Sequence, residues 1–411
     1  MMNDKKLQAA EEPRMAETSD GSVIIVGAGQ AGGEAAMSLR RDGFNGKICL
    51  IGKEAYPPYE RPPLSKKALI GELPFDRLIL RTAEAYAAAG IKLILDQAVA
   101  SIDPSSSSVV LQDARRMPFS HCILATGASA RRMRIPGAEL PGVLVLRGID
   151  DTTALQSKIK SGLRVVVAGG GYLGLEAAAS ASKLGAAVTV IEAGKAILQR
   201  STSTISAHAL LARHQAASVN IITGESIERI DGVESAEQVL LSSGRTIPAD
   251  LVLIAIGAIP ETQLAQDIGI ICDNGIVVDE SCRTNIPNIF AIGDCANHFN
   301  TRYGRHLRFE SVQSATFQAR CASAAIVGKK QPPPRIPYFW SEQFDAKLQI
   351  AGFVDPSVPV VDILAGDPAS DFAVYRFQEG ILAAVETVNR PRDFVLAQTL
   401  IGRSDVQVPV A

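Results

Sequence analysis

The 411 residues are 47% hydrophobic and 20% charged, the balance of a globular chain with room for two or three cored domains. A formal net charge of −2 excludes general nucleic-acid binding, which draws on a strongly basic domain. No apolar run approaches the roughly 18 residues that span a bilayer, and the first twenty residues lack the apolar core of a signal peptide. No nucleic-acid or membrane partner is therefore expected, and the location reads as cytoplasmic.

Residues 1–20 are polar and of mixed charge, the composition of a disordered tail. An apolar β-branched run, Ser22–Val26, follows and leads into Gly27, Gly29 and Gly32, with Gln30 and Ala31 between them. A glycine-punctuated turn between a strand and an Ala-rich helix lets backbone N–H groups approach a pyrophosphate, and the helix N-terminus adds its positive dipole end. The next strand, Lys47–Ile51, ends at Gly52, Lys53 and Glu54. Residues 56–66 then carry four prolines, which forbid a regular helix or an inner strand. A further apolar run ends at Ala125, Thr126 and Gly127.

The same arrangement recurs. The strand Arg164–Ala168 leads into Gly169, Gly171 and Gly174, with Tyr172 and Leu173 between the last two, and a second strand ends on Glu192. This segment closes on an apolar run ending at Gly257. Another strand pattern then ends at Gly293 and Asp294. One glycine fingerprint is weak evidence, but two with identical GxGxxGxEAA spacing point to two bound dinucleotides and to hydride transfer between them. Beyond the linker at 331–334, alternating apolar residues at 347–353, 372–377 and 381–388 indicate strands of a small α+β domain. The domain boundaries expected are 21–128 and 260–331 for a discontinuous first domain, 129–259 for an inserted second domain, and 332–411 for the C-terminal one.

The six cysteines form no CxxC pair, and the five histidines lack zinc-ligand spacing, so no metal site is expected. Glu192 at the end of the second unit's second strand suits the adenosine 2′-hydroxyl of NADH and would repel a 2′-phosphate.

The ordered motifs at 27–32, 61–66, 125–127, 169–176, 291–294, 310–312, 339–341 and 388–391 resemble those of the FAD-dependent ferredoxin reductases of bacterial oxygenase systems. The resemblance implies an α/β fold of the glutathione-reductase type, with FAD and NAD domains of the Rossmann type and a C-terminal α+β domain. It assigns the first fingerprint to FAD and the second to NADH. FAD contacts are then expected at Gly27, Gly29, Gln30, Ala31, Arg61, Lys66, Val99, Ala125, Thr126, Gly127, Arg147, Asp294, Val312 and Trp340. Lys53 or Glu54 would hold the adenosine ribose, although many relatives carry a carboxylate directly after the glycine where Lys53 stands. NAD contacts are expected at Gly169, Gly171, Tyr172, Leu173, Gly174, Glu192, Arg200 and Gly257.

Lys66, Glu176 and Glu310 are the expected catalytic side chains beside the flavin. Against these stand plainer roles: a solvated lysine, two surface glutamates and a core tryptophan. The activity implied is hydride transfer from NADH to FAD, then single electrons to a 2Fe–2S ferredoxin that serves a cytochrome monooxygenase. The alternatives are the reductase of an aromatic-ring dioxygenase, or a non-catalytic scaffold resembling apoptosis-inducing factor. A disulfide reductase would need a cysteine in residues 56–69, and none is there. Docking of an acidic ferredoxin is expected to use Arg320, Lys329, Lys330, Arg335 and Arg390, and the chain is expected as a monomer or weak homodimer.

Overall fold

The computed structural model describes residues 21–408, and the expected tail at 1–20 lies outside the described residues. Two parallel five-stranded sheets are built to the same plan. The first has the order Ile91–Ile94, Lys47–Ile51, Ser22–Val26, His121–Leu124 and Ile289–Ala291. In the second the order is Asn220–Thr223, Ala187–Glu192, Arg164–Ala168, Leu251–Ile254 and Val143–Val145. The glycine-terminated strand is central in both. Such strands are covered on both faces and so read as continuous apolar runs: Val23, Ile24 and Ile25 are buried, as are Val165, Val166 and Val167.

Strand Ile289–Ala291 returns from beyond the second sheet to pair with His121–Leu124, so the first sheet draws on both sides of the intervening segment. The two chain crossings between the sheets pair with each other as a short antiparallel ribbon, Ala128–Ala130 with Ala258–Pro260. Each parallel sheet is accompanied by a three-stranded antiparallel sheet, formed from residues 99–118 and 227–248. The C-terminal unit is a five-stranded antiparallel sheet packed against the helix Pro391–Leu400. Two of its strands, Tyr338–Gln343 and Val361–Gly366, were not among those read from alternation, because their half-buried faces blur the period of two. The proline-rich loop contains one short 3₁₀ turn, Pro62–Ser65, with its prolines in the first turn where no N–H is required.

Candidate functional site

In each fingerprint the three glycines divide into two kinds. A Cβ on Gly27 would lie 2.1 Å from the Ala125 carbonyl oxygen, and one on Gly32 would lie 2.0 Å from that of Gly27. Their counterparts Gly169 and Gly174 would meet the carbonyl oxygens of Ala255 and Gly169 at 2.4 and 2.1 Å. These four are demanded by the close approach of strand, turn and helix, and Gly27 and Gly169 also hold positive φ of 118° and 110°. Gly174 accordingly packs helix on turn and is not among the residues that line the cleft. The middle glycines differ. An added Cβ on Gly29 or Gly171 meets no protein atom within 4 Å, so nothing in the protein itself excludes a side chain there.

Gly29 and Gly171 are also the N-caps of the helices Gln30–Asp42 and Tyr172–Lys183. Neither helix has a side-chain cap bond or an acidic residue in its first turn. Their first N–H groups are left for an anion, which fits the pyrophosphate of a dinucleotide at each.

Both turns open onto one continuous cleft of about 2020 Å³. Ligand pockets generally run to roughly 300–1,000 Å³, so the volume accommodates two extended cofactors. Lining it are Gly27, Gly29, Gln30, Ala31, Lys53, Glu54, Arg61, Lys66, Val99, Ala125, Thr126, Gly127, Arg147, Asp294, Val312 and Trp340 on the first side. Gly169, Gly171, Tyr172, Leu173, Glu192, Arg200 and Gly257 line the other side, with Glu176 and Glu310 also on the wall. The fold thus brings together every expected site residue except Gly174.

Much of the charge inside the cleft is paired. Glu54 accepts from Arg61 Nη2 and from the Tyr59 hydroxyl, each at 2.6 Å. Burial opposes the charge on Glu54, yet Arg61 and the Tyr59 bond outweigh it and hold the carboxyl below its ordinary range. Glu54 therefore anchors the Arg61 loop with both oxygens, while Lys53 stands exposed beside it. Arg61 also donates to the Arg147 carbonyl at 2.8 Å, and Arg147 pairs with Asp294 at 2.7 Å. Arg308 pairs with Glu310 at 2.5 Å and donates to the Asp294 carbonyl at 3.3 Å, tying Glu310 to the strand end.

Where the two halves meet, Lys66 Nζ lies 2.7 Å from Glu176 Oε2 and donates to the Pro62 carbonyl at 2.9 Å. Glu176 is 5% exposed and accepts from the hydroxyls of Ser65 and Ser341, both at 2.6 Å. It is not a surface glutamate. A buried carboxylate with a cation and two donors is a supported anion rather than a stranded one. Above it Tyr172 packs on Phe339, ring centroids 4.4 Å apart, and Trp340 lies next to Phe339 in the same strand.

In the second half, Glu192 accepts from the N–H groups of Gly170 at 2.7 Å and Gly194 at 2.6 Å, which turns its carboxylate across the fingerprint. Sequence reasoning missed Ser65 and Ser341 as partners of Glu176. It also missed Glu386, a fully buried carboxylate of the C-terminal sheet that holds the Ser203 N–H and hydroxyl and pairs with Arg376 at 2.9 Å. Burial pushes the Glu386 carboxyl up, against the pull of Arg376 and Ser203. The serine in the 339–341 motif was visible, but nothing local showed what it would meet.

No cysteine lines the cleft among the described residues, and none there belongs to a group of three or more potential metal ligands. Three of the five basic residues expected to meet a ferredoxin carry internal partners: Arg320 with Glu34, Lys329 with Asp42 and Arg390 with Asp393. Among the described residues, no helix is long and apolar enough to cross a membrane.

The pyridine nucleotide-disulphide oxidoreductase family matches residues 21–319, and a reductase C-terminal family matches 338–410. Rhodocoxin reductase of Rhodococcus erythropolis is 40% identical over 381 residues, covering 92% of this chain and 89% of that protein. The ferredoxin reductase component of a chlorobenzene dioxygenase of a Cupriavidus species is 36% identical over 380 residues, 92% of each. Among solved structures, a covalent putidaredoxin reductase–putidaredoxin complex superposes with a TM-score of 0.90 at 35% identity, covering 94% of both chains.

Proposed function

Because this chain belongs to the pyridine nucleotide-disulphide oxidoreductase family, and within it to the ferredoxin reductases of bacterial oxygenase systems, we propose that it carries electrons from NADH through FAD to a 2Fe–2S ferredoxin. The observation that carries the reading is the single cleft in which two open glycine turns converge on a lysine–glutamate pair with no cysteine beside it. A flavin in this cleft supplies two-electron acceptance from NADH and one-electron release to an iron–sulfur centre.

The chain's own residues supply binding and electrostatics. The N–H groups above Gly29 and Gly171 receive the two pyrophosphates. Arg61, Arg147 and Asp294 hold the FAD side, cross-braced by Glu54 and Tyr59. Lys66, kept by Glu176 and the Pro62 carbonyl, places a fixed cation on the cleft wall, where it stabilises negative charge gained on reduction. Glu192 receives the adenosine ribose of NADH. Tyr172 and Phe339 form an aromatic floor between the halves.

A dithiol relay has no residue to run on, which favours direct electron release to the partner. The terminal acceptor read here is a cytochrome monooxygenase, with NADH drawn from the cytoplasm. The test is anaerobic: the purified protein is yellow with about one FAD per chain, NADH bleaches it, and a 2Fe–2S ferredoxin with its cytochrome accepts electrons over many turnovers. A protein that retains no flavin after reconstitution refutes the reading. So does one that NADH reduces but that passes no electrons to any ferredoxin, as a scaffold would.

A further inference from the structure

The Lys66–Glu176 pair is the end of a longer buried chain. Ser341 donates its hydroxyl hydrogen to Glu176 Oε1 at 2.6 Å and receives Gln343 Nε2 at 3.1 Å. With its amide nitrogen so committed, Gln343 presents Oε1 to His214 Nε2 at 3.0 Å. An amide oxygen only accepts, so the His214 proton resides on Nε2. Ser341, Gln343 and His214 are each no more than 1% exposed. Burial lowers the His214 pKa, consistent with a neutral ring whose Nδ1 has no partner.

Every donor in this row therefore points the same way: imidazole to amide, amide to hydroxyl, hydroxyl to carboxylate. Bonds aligned head to tail polarise one another, and here the polarisation ends on the Glu176 carboxylate. The row also crosses the molecule. His214 is on the helix Thr204–Ala216 beside the second parallel sheet, and Ser341 and Gln343 are alternate inward residues of the C-terminal strand Tyr338–Gln343. Glu176 is on the helix that opens at Gly171, and Lys66 follows the 3₁₀ turn of the first domain. Ser180, one turn beyond Glu176, donates to the Ser65 carbonyl at 2.7 Å and fixes the loop from the other side. Beyond Lys66, the titratable or charged groups about Glu176 are Tyr172 on its own helix and, past Tyr172, the Glu386–Arg376 pair.

We infer that Ser341, Gln343 and His214 are positioning residues of the electron-transfer site, holding the Glu176 carboxylate oriented on Lys66 so that the cation stays fixed on the cleft wall. The C-terminal domain thereby takes part in tuning the flavin. The inference rests on the FAD reading proposed above.

The experiment compares wild type with Ser341→Ala, Ser341→Thr and Gln343→Met in the FAD-bound protein. It reads the midpoint potential of the bound flavin, and kcat and KM for NADH with ferricyanide. Loss of the Ser341 hydroxyl loosens the pair and disfavours the reduced flavin about tenfold, a potential roughly 30 mV more negative for a two-electron couple. The kcat falls about tenfold with the NADH KM unchanged, Ser341→Thr restores both values, and Gln343→Met moves them the same way by less. If Ser341→Ala does not fold, Gln343→Met decides the matter. Potentials and kcat equal to wild type in FAD-bound Ser341→Ala or Gln343→Met overturn the inference, while a wild-type protein without FAD overturns the underlying function instead.

Discussion

Glu192 offers a test in which charge and hydrogen bonding separate. Its oxygens now hold the Gly170 and Gly194 N–H groups, and the carboxylate lies at the strand end where the adenosine ribose of NADH is expected. A hydrogen bond to a charged group contributes about 1.5–3 kcal/mol, which is roughly 10- to 150-fold in kcat/KM. A 2′-phosphate near 4 Å from the same carboxylate is repelled by about 4 kcal/mol at the effective dielectric of a partly exposed site. The residues directly after it, Ala193 and Gly194, bring no arginine to offset that repulsion, and the nearby cations are Lys195 and, further along the cleft wall, Arg200. Wild type should therefore prefer NADH over NADPH by about two orders of magnitude or more.

Glu192→Gln keeps one oxygen for a backbone N–H and removes the charge. It should lower kcat/KM for NADH about tenfold and raise it for NADPH by at least as much. Glu192→Ala also frees both N–H groups and should lose more on NADH. Initial rates with ferricyanide under both coenzymes measure the kcat/KM values of wild type and both variants. Equal use of NADH and NADPH by wild type, or an unchanged ratio in Glu192→Gln, refutes the role.

Three further outcomes are expected. Iodoacetamide at about pH 7.5 should leave NADH–ferricyanide activity intact, because five of six thiols are buried and burial pushes Cys122 up to about 12 and Cys49 to about 11; rapid complete loss prevented by NADH would revive a dithiol mechanism. Glu386→Ala leaves the Ser203 N–H without its acceptor and Arg376 with Asp362 as its remaining carboxylate partner, and should cost about 1–3 kcal/mol of stability, whereas Glu386→Gln should cost clearly less; equal Tm values for the two variants count against this. Burial lowers the pKa of His121, His214 and His298, so the unfolded chain, titrating near its ordinary value of 6.5, takes up protons first. Stability should hold above that value and fall as the pH drops from it toward the lower native values, giving a lower Tm at about pH 5.5 than at about pH 7.5; a Tm that is equal or higher at the acid pH contradicts the sign.

The central strands of both parallel sheets and both glycine turns were legible in the sequence because their causes are local, whereas the outer strands Ile91–Ile94, Val143–Val145 and Asn220–Thr223 were not. A strand covered on two faces must be an unbroken apolar run, and a turn without room for a Cβ must be glycine. Gly27, Gly32, Gly169 and Gly174 each answer to atoms of their own βα unit or the neighbouring strand. The order of the motifs named many of the cleft residues as well, since Gly29, Ala125, Gly171, Glu192 and Asp294 lie at strand ends or helix starts that the pattern marks.

Tertiary structure alone decided what those residues touch. Ser65 is 111 residues from Glu176, Ser341 is 165 away, and Gln343 and His214 are 129 apart, yet all lie in one hydrogen-bonded row. Glu386 reaches 183 residues back to cap a helix that presents its own serine cap in sequence. Gly174 serves packing because a Cβ there would lie 2.1 Å from the Gly169 carbonyl oxygen. Hydrophobic periodicity records which face is buried, and it carries no mark of which distant polar partner shares the burial. Desolvation makes such partners obligatory only once the domains have closed over them.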